Sequence, residues 1–292
     1  MLTGHSAART CEEPGTAMPS AAGVSHELLP LRVRGVNVEV AAVRREGADA
    51  PIVFLHGFGT SKEDYLDVTQ RHEFAGRAFL AYDAPGSGAS DCADLAAVDI
   101  PFLVDAAFAV LDRAGIDRFH LVGHSTGGLT ALLLAHRAPR RVLSFVNVMG
   151  VLAPEDCVLS RQALAHPDPA EFFFGLAERN RAAAHHGSGL YAAGLPHKIR
   201  RGAVAGLFRS MVELADHGDL IAKFLSLPCP RMYLYGEQCA ALSYLPTLDA
   251  NGVELAEIPH SGHLPMYSNP VAMWRRLGDF LARQLIPMAR RW

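Results

Sequence analysis

Six short apolar runs recur along the chain, and their spacing constrains the fold more than any other feature of the sequence. They read PIVFL (51–55), RAFLAY (77–82), FHLVG (119–123), LSFVNV (143–148), RMYLYG (231–236) and VELAEI (253–258). Helical patterns separate most of them, and the clearest of these cover 98–115, 125–138 and 270–286. Because strands that alternate with helices pack as a mostly parallel sheet covered on both faces, the pattern predicts an α/β fold.

Three further segments define the predicted domains. Residues 31–43 alternate apolar and polar side chains around Gly35, which predicts two antiparallel strands joined by a turn. Residues 152–228 contain no convincing strand but carry aromatic and leucine-rich helical patterns, and they are too long for a simple connection. We therefore predict a core of 26–151 and 229–292, a helical cap of 152–228, and a flexible N-terminal arm of 1–25.

Composition excludes several classes of protein. A chain of 292 residues that is 50% hydrophobic and 20% charged can bury a large core. Its net charge of -3 and its scattered Lys and Arg side chains indicate neither nucleic-acid nor membrane-surface binding. The five cysteines form no CxxC pair, which favours reduced thiols over disulfides or zinc. We expect a cytoplasmic monomer or homodimer without cofactor or metal, acting on a small apolar molecule.

The segment FHLVGHSTGG (119–128) combines a strand, the pattern G-x-S-x-G and a helix. In this setting the pattern predicts a nucleophile elbow, a sharp turn that lifts the Ser125 hydroxyl above the sheet. The flanking glycines are needed because side chains there would collide with neighbouring backbone. Serine is also favoured as a helix N-cap, so a purely structural role for Ser125 is the alternative.

Two other loops carry groups that a nucleophilic serine requires. HGFG (56–59) follows a strand directly and could turn the Phe58 N–H toward Ser125, forming an oxyanion hole with the Thr126 N–H. Near the end of the chain, IPHSGHLPMYSNP (258–270) offers His260 and His263. Because a hydroxyl is a weak nucleophile until an imidazole takes its proton, one of these histidines is predicted to be the general base.

Taken together, HGFG, YDAPGSGAS (82–90), GHSTGG and SGHLPMYSNP resemble, in order and spacing, the motifs of the α/β-hydrolase family with a helical cap. The resemblance covers roughly residues 26–292. It implies that Ser125 is the nucleophile, that His263 rather than His260 is the base, and that 152–228 is the cap.

The family's catalytic acid has no obvious counterpart here. By the resemblance it should lie about three residues beyond Gly236 or at the tip of the strand before the cap, and these places hold Cys239 and Met149. Glu237 at the edge of the sheet is our first substitute and Asp156, with its neighbour Glu155, the second. A Ser-His pair without a fixed acid is the third possibility.

These observations predict a serine hydrolase that cleaves an ester, thioester or lactone of a small apolar substrate, with Ser125, His263 and Glu237 as catalytic residues. We expect His124 and Met149 to contact the substrate. A non-hydrolytic or C–C bond-cleaving enzyme of the same fold is one alternative, and a slow ligand-binding sensor is another.

Overall fold

A computed structural model describes residues 23–180 and 188–284 of the chain. The strands are β1 (Val24–Val33), β2 (Val36–Arg45), β3 (Ile52–Leu55), β4 (Phe79–Tyr82), β5 (Asp91–Cys92), β6 (Phe119–His124), β7 (Val142–Val148), β8 (Arg231–Gly236) and β9 (Glu254–Ile258). The α-helices are α1 (Ile100–Arg113), α2 (Thr126–Arg137), α3 (Val158–Leu164), α4 (Pro169–Asn180), α5 (Ser188–Lys198), α6 (Arg201–His217), α7 (Leu220–Ser226), α8 (Leu245–Ala250), α9 (Pro265–Ser268) and α10 (Pro270–Gln284).

All nine strands belong to one sheet, in the order β1-β2-β4-β3-β6-β7-β8-β9, with β5 paired to β2. Neighbouring strands from β4 to β9 along this order pair in parallel, whereas β1 and β2 form an antiparallel hairpin. The hairpin turns at Arg34 and Gly35, which both have positive φ angles. The mostly parallel sheet and the hairpin predicted from the sequence are therefore confirmed.

Two apolar layers cover the two faces of the sheet. One layer contains α1, α2 and much of the cap, and the other contains α10. The ring of Trp274 in α10 packs edge-on against Phe54 of β3, with ring centroids 5.9 Å apart. Because β3, β4 and β6 are buried along their whole length, they read in the sequence as continuous apolar runs.

The connection from β7 to β8 carries the helices α3 to α7, which we call the cap. Its described residues contain helices but no strand. The predicted arm of 1–25 lies mostly outside the described residues, and β1 already begins at Val24. Within the described residues, none of the helices has the length and apolar character needed to cross a membrane.

Candidate active site

Ser125 lies in the sharp turn between β6 and α2 that the sequence predicts. Its φ of 51 and ψ of -118 place a non-glycine residue in a sparsely populated backbone region, where strain is of order 1–3 kcal/mol. The Ser125 N–H donates to the Val148 carbonyl at 3.0 Å, which ties the turn to the neighbouring strand β7. The fold therefore holds this serine in a conformation that an ordinary N-cap does not require.

The glycines on either side of Ser125 permit the close packing of the turn. A Cβ atom on Gly127 would lie 2.3 Å from the Leu55 carbonyl oxygen, and one on Gly123 would lie 2.5 Å from the Gly127 carbonyl oxygen. Both distances are far below van der Waals contact, so a larger residue would push α2 away from the sheet. The glycines of the sequence motif are thus explained by backbone contacts.

His263 contacts Ser125 directly. Its Nε2 lies 2.9 Å from Ser125 Oγ. His263 belongs to the loop that joins β9 to α9. His260 points elsewhere, with 88% of its side chain exposed. The structure thus brings His263, and not His260, to Ser125. Although His263 as a residue is exposed to solvent, desolvation by the surrounding protein lowers the pKa of its imidazole, and the neutral ring is the form that can accept a proton.

His124 packs against the loop 259–264, which we call the base loop after the predicted base His263. Its Nε2 lies 2.9 Å from the His263 carbonyl oxygen, so Nε2 carries the proton and donates. Burial lowers the pKa of His124 to about 3, which keeps the ring neutral. Only 1% of the residue is exposed, so His124 offers little surface to a ligand, and its predicted substrate contact stays a prediction. The ring is enclosed between the base loop and Gly57, whose added Cβ would lie 2.5 Å from His124 Nδ1.

The turn 56–59 is fixed by its first residue. His56 Nε2 accepts a hydrogen bond from the Ala84 N–H at 2.8 Å, and His56 Nδ1 therefore carries the proton that it donates to the Gly57 carbonyl at 2.8 Å. Gly57, Phe58 and Thr126 line one small cavity of about 20 Å³. Among the described residues, neither the Phe58 N–H nor the Thr126 N–H donates to another protein group. Both donors are free to bind a ligand atom.

Glu237 does not contact the base in the described structure. It follows β8 at the predicted edge of the sheet, but its Oε2 accepts the His260 N–H at 2.7 Å, and 52% of the side chain is exposed. The carboxylate therefore holds the loop that precedes His263 without bonding to the imidazole. The sequence predicted the position of Glu237 after β8, but not the group to which its carboxylate bonds.

Asp156 is likewise engaged elsewhere. Its Oδ2 accepts the N–H groups of Leu152 and Ala153 at 2.8 and 2.9 Å, and its Oδ1 accepts the Tyr244 hydroxyl at 3.0 Å. Tyr244 in turn lies 2.6 Å from the Tyr233 hydroxyl. Burial raises the pKa of Asp156. This network, which no sequence pattern indicated, fixes the start of the cap against β8.

The two positions where the family resemblance implies an acid are uncharged. Met149 follows β7 with a φ of 50, is 5% exposed, and belongs to the apolar core. Cys239 is half-buried, and desolvation raises the pKa of its thiol. Within the described part of the chain, no carboxylate bonds to His263. The surroundings of Met149 are those of a packed core residue, and its predicted substrate contact stays a prediction.

Comparison with known proteins identifies the family. The model of the alpha/beta hydrolase family matches residues 52–276. The chain belongs to this family. Its motifs 56–59, 82–90, 123–128 and 261–270 fall within the matched region.

Individual relatives differ in activity. The acetyltransferase component of the acetoin cleaving system of Cupriavidus necator is 35% identical over 119 residues, which are 41% of this chain and only 31% of that protein. A 2-succinyl-6-hydroxy-2,4-cyclohexadiene-1-carboxylate synthase of Klebsiella pneumoniae is 26% identical, and the match covers 79% of this chain and 93% of the synthase. A solved N-acyl homoserine lactonase is similar in fold, with a TM-score of 0.70, 18% identity, and coverage of 90% of this chain and 98% of the lactonase.

Proposed function

We propose that this protein is a serine hydrolase that cleaves an ester, thioester or lactone of a small apolar substrate. The observation that carries the proposal is the 2.9 Å contact between Ser125 Oγ and His263 Nε2, made at a strained elbow. A hydroxyl held against a neutral imidazole is the arrangement that nucleophilic acyl transfer requires. The lowered pKa of His263 keeps that imidazole neutral at ordinary pH.

In the first half-reaction His263 takes the Ser125 proton while Ser125 Oγ attacks the substrate carbonyl carbon. The carbonyl π electrons move to oxygen, and the N–H groups of Phe58 and Thr126 stabilise the oxyanion. Collapse of the tetrahedral intermediate breaks the bond to the leaving group, which takes the proton from His263. A water molecule then attacks the acyl-enzyme by the same steps and regenerates Ser125.

The surroundings of the unpaired N–H groups favour an apolar substrate. The cavity beside them is lined by apolar side chains of α1 and the cap, namely Leu103, Ile199, Ala203 and Leu207. All four are buried. They would desolvate the reacting carbonyl, which strengthens the hydrogen bonds to its oxygen.

The mechanism proposed here has no fixed acid. A carboxylate on the far side of the imidazole stabilises the imidazolium, and disabling it in a serine-protease triad costs roughly 10⁴ in kcat. We therefore propose a Ser125–His263 pair whose turnover is slow for a hydrolase. Glu237 supports the loop through His260 in this proposal and does not act as the third member of a triad.

The test uses a chromogenic short-chain ester and a fluorescent phosphonate. The wild type is expected to turn over the ester and to carry the phosphonate on Ser125. Ser125→Ala should lose turnover and labelling together, whereas Cys239→Ala, which removes the half-buried thiol, should keep both. Labelling that persists in Ser125→Ala would contradict the proposal.

A second candidate keeps the same pair and changes the chemistry to a non-hydrolytic or C–C bond-cleaving step. The similarity to the Klebsiella synthase, which covers more of this chain than the acetyltransferase component does, favours it. The non-hydrolytic form of this candidate differs from ester hydrolysis in that no oxygen from water enters the product. A single turnover of the ester in H₂¹⁸O should place ¹⁸O in the acid product if the enzyme is a hydrolase.

A further inference from the structure

Three helices of the cap hold Phe58, the residue whose N–H is the first oxyanion donor of the proposed function. The Phe58 ring lies 4.8 Å from the ring of Phe173 in α4 and 4.7 Å from that of Phe208 in α6, measured between centroids. The Phe58 carbonyl accepts a hydrogen bond from the Tyr191 hydroxyl of α5 at 3.0 Å. Both the side chain and the carbonyl of Phe58 are therefore fixed from the cap side.

The fit between α5 and the turn is close. A Cβ atom on Gly59, whose φ is +73, would lie 2.5 Å from the Tyr191 hydroxyl oxygen and 2.5 Å from Leu195 Cδ1. Burial raises the pKa of Tyr191 above its ordinary value, so the hydroxyl remains a donor throughout the range in which an esterase is assayed. The contact between cap and turn is thus a hydrogen bond with little room for another arrangement.

The C-terminal end of α5 is anchored on two sides, to the segment after the turn 56–59 and to α9 after the base loop. Lys198 Nζ donates to Asp64 at 2.8 and 3.0 Å and to the Tyr267 hydroxyl at 3.0 Å. Asp64 Oδ2 also accepts the Ser61 N–H at 2.7 Å, just beyond the turn 56–59. Tyr267 lies in α9, which follows the base loop, and its hydroxyl donates to Asp64 at 2.8 Å. One ionic cluster therefore joins α5 to the segment just after the turn 56–59 and to α9, which follows the base loop.

We infer that Tyr191 is a positioning residue that sets the direction of the Phe58 N–H, so that the oxyanion hole is complete only while α5 is docked. Fixing the carbonyl and the ring of Phe58 places its backbone nitrogen from the cap side. The Phe58 N–H lies in the same planar peptide unit as the Gly57 carbonyl, which the Thr60 hydroxyl holds at 2.8 Å from the other side, so the two sets of contacts together set the line of the N–H. The inference rests on the proposed function. An oxyanion donor acts in the transition state, so a misplaced donor should lower kcat and leave KM nearly unchanged.

The test compares Tyr191→Phe with the wild type in three measurements. Deleting the hydroxyl should lower kcat about tenfold, which is less than the roughly 10²–10³-fold loss seen when an oxyanion donor is removed outright. KM should stay within about twofold. A trifluoromethyl ketone binds as a tetrahedral oxyanion on serine, so its inhibition constant should weaken by the same factor as kcat. A merely structural role for Tyr191 would not link these two numbers.

Lys198→Met is the second variant, because it releases the end of α5 without touching Phe58, and it should lower kcat in the same direction. The matched control is Arg161→Met. Arg161 makes an ion pair with Asp216 inside the cap, 3.0 Å from Nη1 to Oδ2. Among the described residues this pair involves neither the turn 56–59 nor the base loop. This control should retain the kcat and the inhibitor affinity of the wild type.

Unchanged kcat in both Tyr191→Phe and Lys198→Met would overturn the inference, as would a change in KM or thermal midpoint alone. If Tyr191→Phe does not fold, Lys198→Met decides the question. Failure of the proposed function looks different, because the wild type itself would then fail to react with the phosphonate at Ser125.

Discussion

The turn around Ser125 and the two nearby carboxylates, Glu237 and Asp156, differ in what determines which residue stands at each position. Around Ser125, backbone contacts at 2.3 and 2.5 Å from where glycine Cβ atoms would stand leave one acceptable residue type at each flank. On the acid side, Glu237 and Asp156 both bond to backbone N–H groups, and neither bonds to His263 in the described residues. Positions that sterics restrict to glycine can therefore be predicted from the sequence. The role of a carboxylate cannot, because it depends on which hydrogen-bond donor the side chain reaches in the fold.

The largest effect should separate the two histidines of the base loop. His263→Ala removes the group that takes the Ser125 proton, and general-base catalysis contributes roughly 10²–10⁴-fold. We expect a loss of kcat in that range, measured with the short-chain ester. His260→Ala, the matched control, should cost less than tenfold because its side chain is exposed. Similar losses in the two variants would mean that the assignment of the base is wrong.

A carboxylate introduced at position 149, directly after β7, tests whether the site lacks a catalytic acid. Met149→Glu is expected to raise kcat about tenfold, because a nearby carboxylate stabilises the imidazolium that forms during the reaction. Met149→Leu should leave kcat unchanged and serves as the control for packing. If Met149→Glu is instead inactive and melts at lower temperature, the buried charge has only destabilised the core, and the idea of a vacant acid position fails.

The pH dependence of kcat/KM tests the same idea. Desolvation lowers the pKa of His263 to about 4, so the base stays neutral, and the enzyme active, until the pH falls well below the ordinary histidine range. We expect the acid limb of the wild-type profile near that value. A carboxylate in Met149→Glu favours the charged ring, so its acid limb should move to higher pH. A wild-type limb near pH 6.5 would show that the imidazole is not desolvated in solution.

Asp156→Asn should affect stability more than catalysis. An amide offers one acceptor oxygen where the carboxylate offers two, so either the N–H groups of Leu152 and Ala153 or the Tyr244 hydroxyl loses its acceptor. The free energy of unfolding should fall by about 1–3 kcal/mol, measured by urea denaturation, with kcat within about threefold of the wild type. A loss of kcat by orders of magnitude at unchanged stability would make Asp156 the catalytic acid.

The smallest effect is expected for Glu237→Gln. The amide oxygen can still accept the His260 N–H, so the base loop should keep its conformation and kcat should change less than about threefold. Glu237→Ala removes that acceptor and should be the more damaging of the two. If Glu237→Gln alone lowers kcat by orders of magnitude with little change in KM, the carboxylate reaches the imidazole during turnover, and the triad predicted from the sequence is correct.

The sequence predicted the parts of this molecule that short segments determine. The strands, the hairpin at Gly35 and the turn at Ser125 follow from local patterns of apolar residues and glycines. The hydrogen bond of His124 could not be predicted, because its partner is a carbonyl in a loop far away in the sequence. Tyr191 and Tyr244 carried no signal, since a phenol that bonds across the fold looks like any buried aromatic residue.

The cavity beside Phe58 and Thr126, about 20 Å³ in volume, has a kinetic consequence. That space holds about one water molecule, so the acyl group of an ester fits beside these two residues only after the cavity opens. Opening then becomes a first-order event whose rate does not depend on the ligand. The observed rate of phosphonate labelling should level off as its concentration rises, at the frequency with which α5 and its neighbours leave the turn. Substrates of very different reactivity would then share one ceiling.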